Sequence, residues 1–200
     1  YPYSPTGAFP LGPAEPWLEA LTAVTWLAAI TQRIHVGTSV LIIPHRNPVF
    51  TARALATADY LSGGRVILGA GIGWWREEFE AVGVPFAERA ARTLESLRIM
   101  KEIWTKPRVA FEGRFWRIAE AGGVRPHPAQ CPHIPIWIGG HSEAALRRVV
   151  AIGDGWHPLG LRSPVAFTRR RWRPPCATFR ISRLPPSATR ARSPSPSRGP

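Results

Sequence analysis

Apolar residues recur at three- and four-residue steps from Trp17 to Gln32, with Leu18, Leu21, Val24, Leu27 and Ala28 on one stripe, which predicts a helix. Ile34 to Ile43 follows, near-continuously apolar and rich in β-branched residues, as in a parallel-sheet strand covered on both faces. Pro44 ends it. Asn47-Pro48 supplies an N-cap and a first-turn proline for a helix to about Leu61, which Gly63-Gly64 stop. Arg65 to Ala70 reads as a second buried strand, running into Gly71-Ile72-Gly73. A short amphipathic stretch from Trp75 to Val82 breaks at Gly83. The longest helix comes next, roughly Phe86 to Trp104, with Leu94, Leu97, Met100 and Ile103 on one stripe. Phe111 to Trp116 alternates around a turn as a small hairpin. Ile136-Trp137-Ile138 is a third buried strand, ending in Gly139-Gly140. His141-Ser142-Glu143 opens a helix to about Ile152, and Gly153-Asp154-Gly155-Trp156-His157 begins a fourth strand.

Strands alternating with helices predict an α/β fold with a parallel sheet. The pattern alone does not separate an open doubly wound sheet from a closed barrel. After Gly160 it stops, which divides the chain into residues 1–160 and a tail over 161–200. Ten of the 26 Lys and Arg fall in that tail with none of the 13 Asp and Glu, so the front is only +3 of the net +13. A pI near 11.4 would suggest a nucleic-acid or membrane-surface partner, but here it does not describe the folded part. Two readings of the tail stand. It is a disordered basic segment of a non-enzymatic protein that binds nucleic acid, or it is a shifted-frame product of GC-rich coding sequence. The abrupt change where another βα unit is due favours the second. Ordering the tail would recover little burial against ~1–2 kcal/mol per residue of backbone entropy, so disorder is predicted there.

Cys131 and Cys176 form no CxxC pair and imply no disulfide framework, which fits a reducing cytoplasm. No run of ~18 apolar residues could span a bilayer. The opening Tyr1-Pro2-Tyr3-Ser4-Pro5 reads like the middle of a loop, so the chain is expected to start inside its gene product. The histidines lack metal-site spacing, and G-x-S-x-G does not occur. Asp59, Glu77 and Glu78 read as solvated helix faces, and Trp17, Trp26 and Trp104 as helix packing. His45 and Arg46 follow a strand end, where they face a ligand or are ordinary surface residues. Trp74 and Trp75 could wall a pocket. Chemistry is expected at strand C-terminal ends: Ser39 to Pro44, Gly71 to Trp75, Gly139 to Ser142 and Trp156 to Pro158. Gly139-Gly140-His141-Ser142 is either an anion site at a helix start or a tight turn with a serine N-cap. Gly69-Ala70-Gly71-Ile72-Gly73 has the spacing G-x-G-x-G, which supports a dinucleotide site weakly. It equally suits a flat wall against a planar ring.

Several segments, in order, resemble the luciferase-like monooxygenases. They are Arg33-Ile34-His35-Val36-Gly37-Thr38-Ser39-Val40-Leu41, Arg46-Asn47-Pro48-Val49, Ala54 to Arg65 with Gly71-Ile72-Gly73-Trp74, and Arg76 to Phe86 with Glu88-Arg89. Pro135-Ile136-Trp137-Ile138-Gly139-Gly140 and Gly153-Asp154-Gly155-Trp156 complete the set. The resemblance covers residues 1–160 and implies part of a TIM (β/α)8 barrel, which typically takes ~250 residues. It implies an oxidoreductase binding reduced flavin mononucleotide (FMN), with oxygen insertion into a small organic substrate, or coenzyme F420, with hydride transfer. Ser39 and Val40 would form a bulge beneath the ring, with a non-prolyl cis peptide. Gly71 and Gly73 would border the ring, while Gly139, Gly140, His141 and Ser142 would hold the phosphate. Catalytic residues are not identified. The family's first two strands and its last strands have no counterpart here, so the piece is expected to fall short of a closed, active barrel. The reading leaves room for a homodimer of the full-length protein. Trp74 stands where sugar-phosphate dehydrogenases of the family place an acid, which argues against that substrate class.

Overall fold

A computed structural model describes residues 17–122 and 125–158. The tail over 161–200, its expected disorder and its nucleic-acid reading lie outside the described residues.

Helix α1 (Ala20–Ile30) starts later than the apolar stripe suggests, because Glu19 caps it, accepting hydrogen bonds from the Leu21 and Thr22 backbone N–H groups. Burial alone would raise the Glu19 pKa. Those two N–H groups, the Thr22 hydroxyl and Arg46 together hold it down to about 2. The expected first strand is split into β1 (Val36–Gly37) and β2 (Leu41–Ile42). A 3-10 turn, Ile43–His45, leads to α2 (Pro48–Ser62), which has the Asn47 cap and the first-turn proline that the sequence predicts. Gly63 closes α2 in the left-handed region at φ 69°, where a Cβ would be strained. β3 (Val66–Gly71) and α3 (Arg76–Ala81) follow, then α4 (Arg89–Thr105) and the antiparallel hairpin of β4 (Arg108–Glu112) and β5 (Arg117–Gly122). Buried Glu95 of α4 holds the hairpin turn, accepting from the Arg114, Phe115 and Trp116 N–H groups. β6 (Ile136–Gly139), α5 (Glu143–Ile152) and β7 (Gly155–His157) complete the described chain.

All the sheet pairings outside the hairpin are parallel: β1 and β2 both lie on β3, β3 on β6, and β6 on β7. Val66, Leu68 and Ala70 alternate toward α2 and are essentially fully buried, as are Ile136 and Ile138 on the side of α5. Ile67, Gly69 and Gly71 of β3 therefore face the opposite, inner side, as do Trp137 and Gly139 of β6.

Two acids fix the ends of strands away from the glycine-rich turns. Asp59, read from the sequence as solvated, is instead fully buried. Its carboxylate accepts from the N–H groups of Val66 and Gln130 and from the Gln130 side-chain amide, tying α2 to the start of β3. Asp154 does the same for β6 by accepting from Ile136 N–H at 2.8 Å. Trp104 is buried and donates to the Ala52 carbonyl, as helix packing requires. Trp17 and Trp26 are exposed, against expectation. The buried stripe of α1 runs through Val24 and Ala28, and Trp26 projects from the other side.

Arg148 is buried on α5 with no acid paired to it among the described residues, and burial, reinforced by nearby Arg89, pushes its guanidinium below its ordinary pKa. A buried cation lacking a counter-charge is a net cost. Arg148→Met should therefore leave the urea midpoint at or above that of the parent. Asp59→Ala, which strands buried N–H donors, should lower stability by about 2–4 kcal/mol. Equal losses for both variants would contradict this assignment.

Candidate functional site

Between β1 and β2 the chain bulges. Gly37 lies opposite Ile67 and Leu41 opposite Ala70, so residues 38–40 oppose only 68 and 69 of β3. The Ser39–Val40 peptide bond in this bulge is cis. The Thr38 hydroxyl anchors the bulge by donating to the Gly69 carbonyl at 2.7 Å.

Glycine is what allows so close an approach. A Cβ at Gly69 would stand 1.9 Å from the Thr38 carbonyl oxygen. At Gly71 it would lie 2.5 Å from Val40 Cγ2, and at Gly139 it would lie 2.9 Å from Val40 Cγ1. Val40 thus lies across the bare inner faces of two neighbouring strands and reaches from β2 to β6. Each of these glycines leaves room for the bulge rather than for a tight turn.

The pairings put the strand ends in one row. Ile42 is level with Gly71, Ala70 with Ile138, and Gly139 with His157. Ser39, Val40, Gly71, Gly139 and His157 are thereby brought to the C-terminal rim. Across the inner face Ser39 Oγ lies 2.8 Å from His157 Nε2, although β3 and β6 separate their strands. Side chains so placed meet only across the concave side of a curved sheet. Burial moves the His157 pKa below its ordinary value. Trp137 stands beside His157 on that face, with its ring centroid 6.5 Å away.

Gly73 is held differently. It turns the chain out of β3 at φ 76°, and a Cβ there would meet the Phe79 ring and Ile42. Phe79, fully buried, packs edge-on against both His45 and Phe86. His45 is tied into this cluster, and burial, with Arg46 adjacent, lowers its pKa. Arg46 pairs with Glu19. Trp74 and Trp75 stack on each other along the same rim at 6.1 Å. Glu77 is exposed, as predicted; Glu78 is half-buried, and burial raises its pKa.

On the other flank, Gly140 adopts φ 114°, and its carbonyl accepts from Trp156 Nε1. Trp156 also packs edge-on against His141. Ser142 caps α5, its hydroxyl accepting from Ala145 N–H. The serine is thus an N-cap, and the turn opens a ten-residue helix at the rim. Among the described residues, no group of three His, Cys, Asp or Glu is arranged to hold a metal, and no helix is long and apolar enough to cross a membrane.

The family model described as luciferase-like monooxygenase matches residues 4–173. The chain belongs to the luciferase-like monooxygenase family. It is 35% identical to an FMNH2-dependent dimethylsulfone monooxygenase of Pseudomonas putida over 145 residues, covering 71% of this chain and 39% of that protein. It is 39% identical to an F420-dependent glucose-6-phosphate dehydrogenase of Kineococcus radiotolerans over 141 residues, 68% of this chain and 41% of the relative. The solved coenzyme F420-dependent tetrahydromethanopterin reductase of Methanopyrus kandleri superimposes with a TM-score of 0.61 at 26% identity, over 70% of this chain and 44% of that one. The chain spans about half the length of the curated relatives it matches, from 39% to 56%.

In this family member the glycine wall and Val40 should be energetically coupled. Gly71→Ala should destabilise by about 1–3 kcal/mol, and Val40→Ala should recover part of that loss in the double variant. Gly69→Ala should destabilise too, but without rescue, since a backbone carbonyl blocks the new methyl. Denaturant unfolding of the four single and double variants measures this. Additive costs for Gly71 and Val40 would contradict the packing.

Proposed function

We propose that this rim is the cofactor cleft of a flavin- or deazaflavin-dependent oxidoreductase acting on a small organic substrate, with the described strands supplying one wall of it. The carrying observation is the arrangement of Val40 over bare glycine backbone beside a glycine turn that opens a helix. Such a wall suits a planar ring, and such a turn suits a phosphate. FMN and F420 carry both a tricyclic ring and a phosphate, and relatives of this chain are named for each.

Each feature has a distinct task in this reading. Val40 gives the ring an apolar floor and keeps water from the inner face. The turn Gly140-His141-Ser142 directs its backbone and the first-turn amides of α5, which the helix cannot satisfy itself, toward a phosphate. Glu143 in that first turn is exposed and paired with Arg147, so its charge is compensated and turned to solvent. Trp74 and Trp75 flank the opposite end beyond Gly73. When bound, reduced FMN would supply oxygen activation, and F420 would supply or accept a hydride.

The test separates ring binding from phosphate binding. In fluorescence titrations the protein should bind FMN or F420, and FMN more tightly than riboflavin, which lacks the phosphate. Gly140→Ala, strained at its φ and crowded by Ala145, should weaken FMN about 10-fold while changing riboflavin little, the worth of one charge-assisted contact. Affinity for neither cofactor would refute the proposal, and equal affinity for FMN and riboflavin would refute the phosphate site.

A further inference from the structure

Among the described residues, Val40, Gly71 and Gly139 leave the inner face at the rim apolar or bare beside one polar pair. Ser39 and His157 meet there, 118 residues apart in sequence and hydrogen-bonded at 2.8 Å. Each comes from a constrained position, Ser39 from the bulge that Thr38 and Val40 hold against β3, and His157 from the last residue of β7. Trp137 flanks the imidazole, with ring planes inclined by 36°. Burial disfavours the protonated ring, so near neutral pH it carries one N–H and one bare nitrogen. Nε2 is engaged by Ser39, and Nδ1 has no hydrogen-bond partner among the described residues. A serine hydroxyl donates or accepts by rotation, so Ser39 accommodates either tautomer and leaves Nδ1 to complement what the cleft holds.

We infer that Ser39 and His157 form one ligand-recognition unit, in which Ser39 orients the imidazole and His157 Nδ1 hydrogen-bonds the polar edge of a heteroaromatic ring bound in the cleft. This rests on the cofactor reading above. Flavin and deazaflavin rings share such an edge, with carbonyl oxygens and a ring N–H in one plane. Ser39 is the positioning residue and His157 the contacting one. The apolar remainder of the wall gives this single contact its directional value, because an orphaned polar edge there would lose water without replacement.

Two amide substitutions divide the imidazole between its nitrogens. Asn places a polar atom near the position of Nδ1, and Gln places one near that of Nε2. FMN and F420 titrations should show His157→Asn close to the parent. His157→Gln and His157→Phe should each weaken the bound cofactor about 5- to 10-fold, the worth of one hydrogen bond. Ser39→Ala should fall between them. The reverse order, with Gln retaining affinity and Asn losing it, would mean that the histidine serves only to tether Ser39 and would overturn the inference. On the unmodified protein, nitrogen-15 NMR of the imidazole gives a readout independent of variant folding. Adding the cofactor should shift Nδ1 of His157 more than Nε2, and an unmoved Nδ1 in a protein that binds would overturn the inference alone. A protein binding neither cofactor removes the cofactor reading and the inference together.

Discussion

Val40 lying across bare backbone is the contact on which the rest of the rim depends. Its methyl groups fill space that any side chain at Gly71 or Gly139 would take, and Gly69 admits the Thr38 carbonyl just behind it. That fit seats the bulge on β3, and the seated bulge aims Ser39 at His157. The energies involved are unequal. The Thr38 hydroxyl bond is worth roughly 1 kcal/mol, whereas a Cβ forced against the Thr38 carbonyl would displace the backbone itself. Steric permission, more than attraction, sets the architecture of this wall.

The two ends of the sheet use polar groups differently. At the strand beginnings, Asp59 and Asp154 spend their carboxylates on backbone N–H groups of Val66, Gln130 and Ile136, which fixes the strand entries. At the strand ends, the polar groups belong to Ser39, His157 and the Gly140–Ser142 turn. A parallel βα fold favours this division, since its strands begin on one rim and end on the other. The stabilising acids can therefore be replaced or kept independently of the residues at the C-terminal rim.

Much of this was legible from pattern. The Asn47-Pro48 start and Gly63 stop of α2, the strands around Leu68 and Ile138, and the Ser142 helix start rest on local chemistry, and the structure places them where the sequence predicts. What failed depended on distant partners. Asp59 shares the buried stripe of α2 with Ala52, Leu55 and Ala56, and only its charge argues for solvent; the partner that admits it, Gln130, lies 71 residues away, beyond any local signal. Trp26 differs, since the helical period already sets it opposite Val24 and Ala28. The bulge at Ser39–Val40 hides inside a run that reads as one continuous strand, and only likeness to the family pointed to it. His157 falls within the Trp156 to Pro158 strand end that the pattern marks for chemistry, without a role of its own. Its alternation with Gly155, beside Trp137 and Gly139 on the next strand, was the clue that would have set it on the inner face.

The inner wall on which we propose cofactor recognition owes its form to missing side chains. The most direct test is a nuclear Overhauser measurement on the protein with stereospecifically labelled valine methyls. The account predicts strong cross-peaks from the two Val40 methyl groups to the α-protons of Gly71 and Gly139, on two different strands. Cross-peaks from Val40 to Leu55 or Ala52 of α2 instead, with none to Gly139, would contradict it.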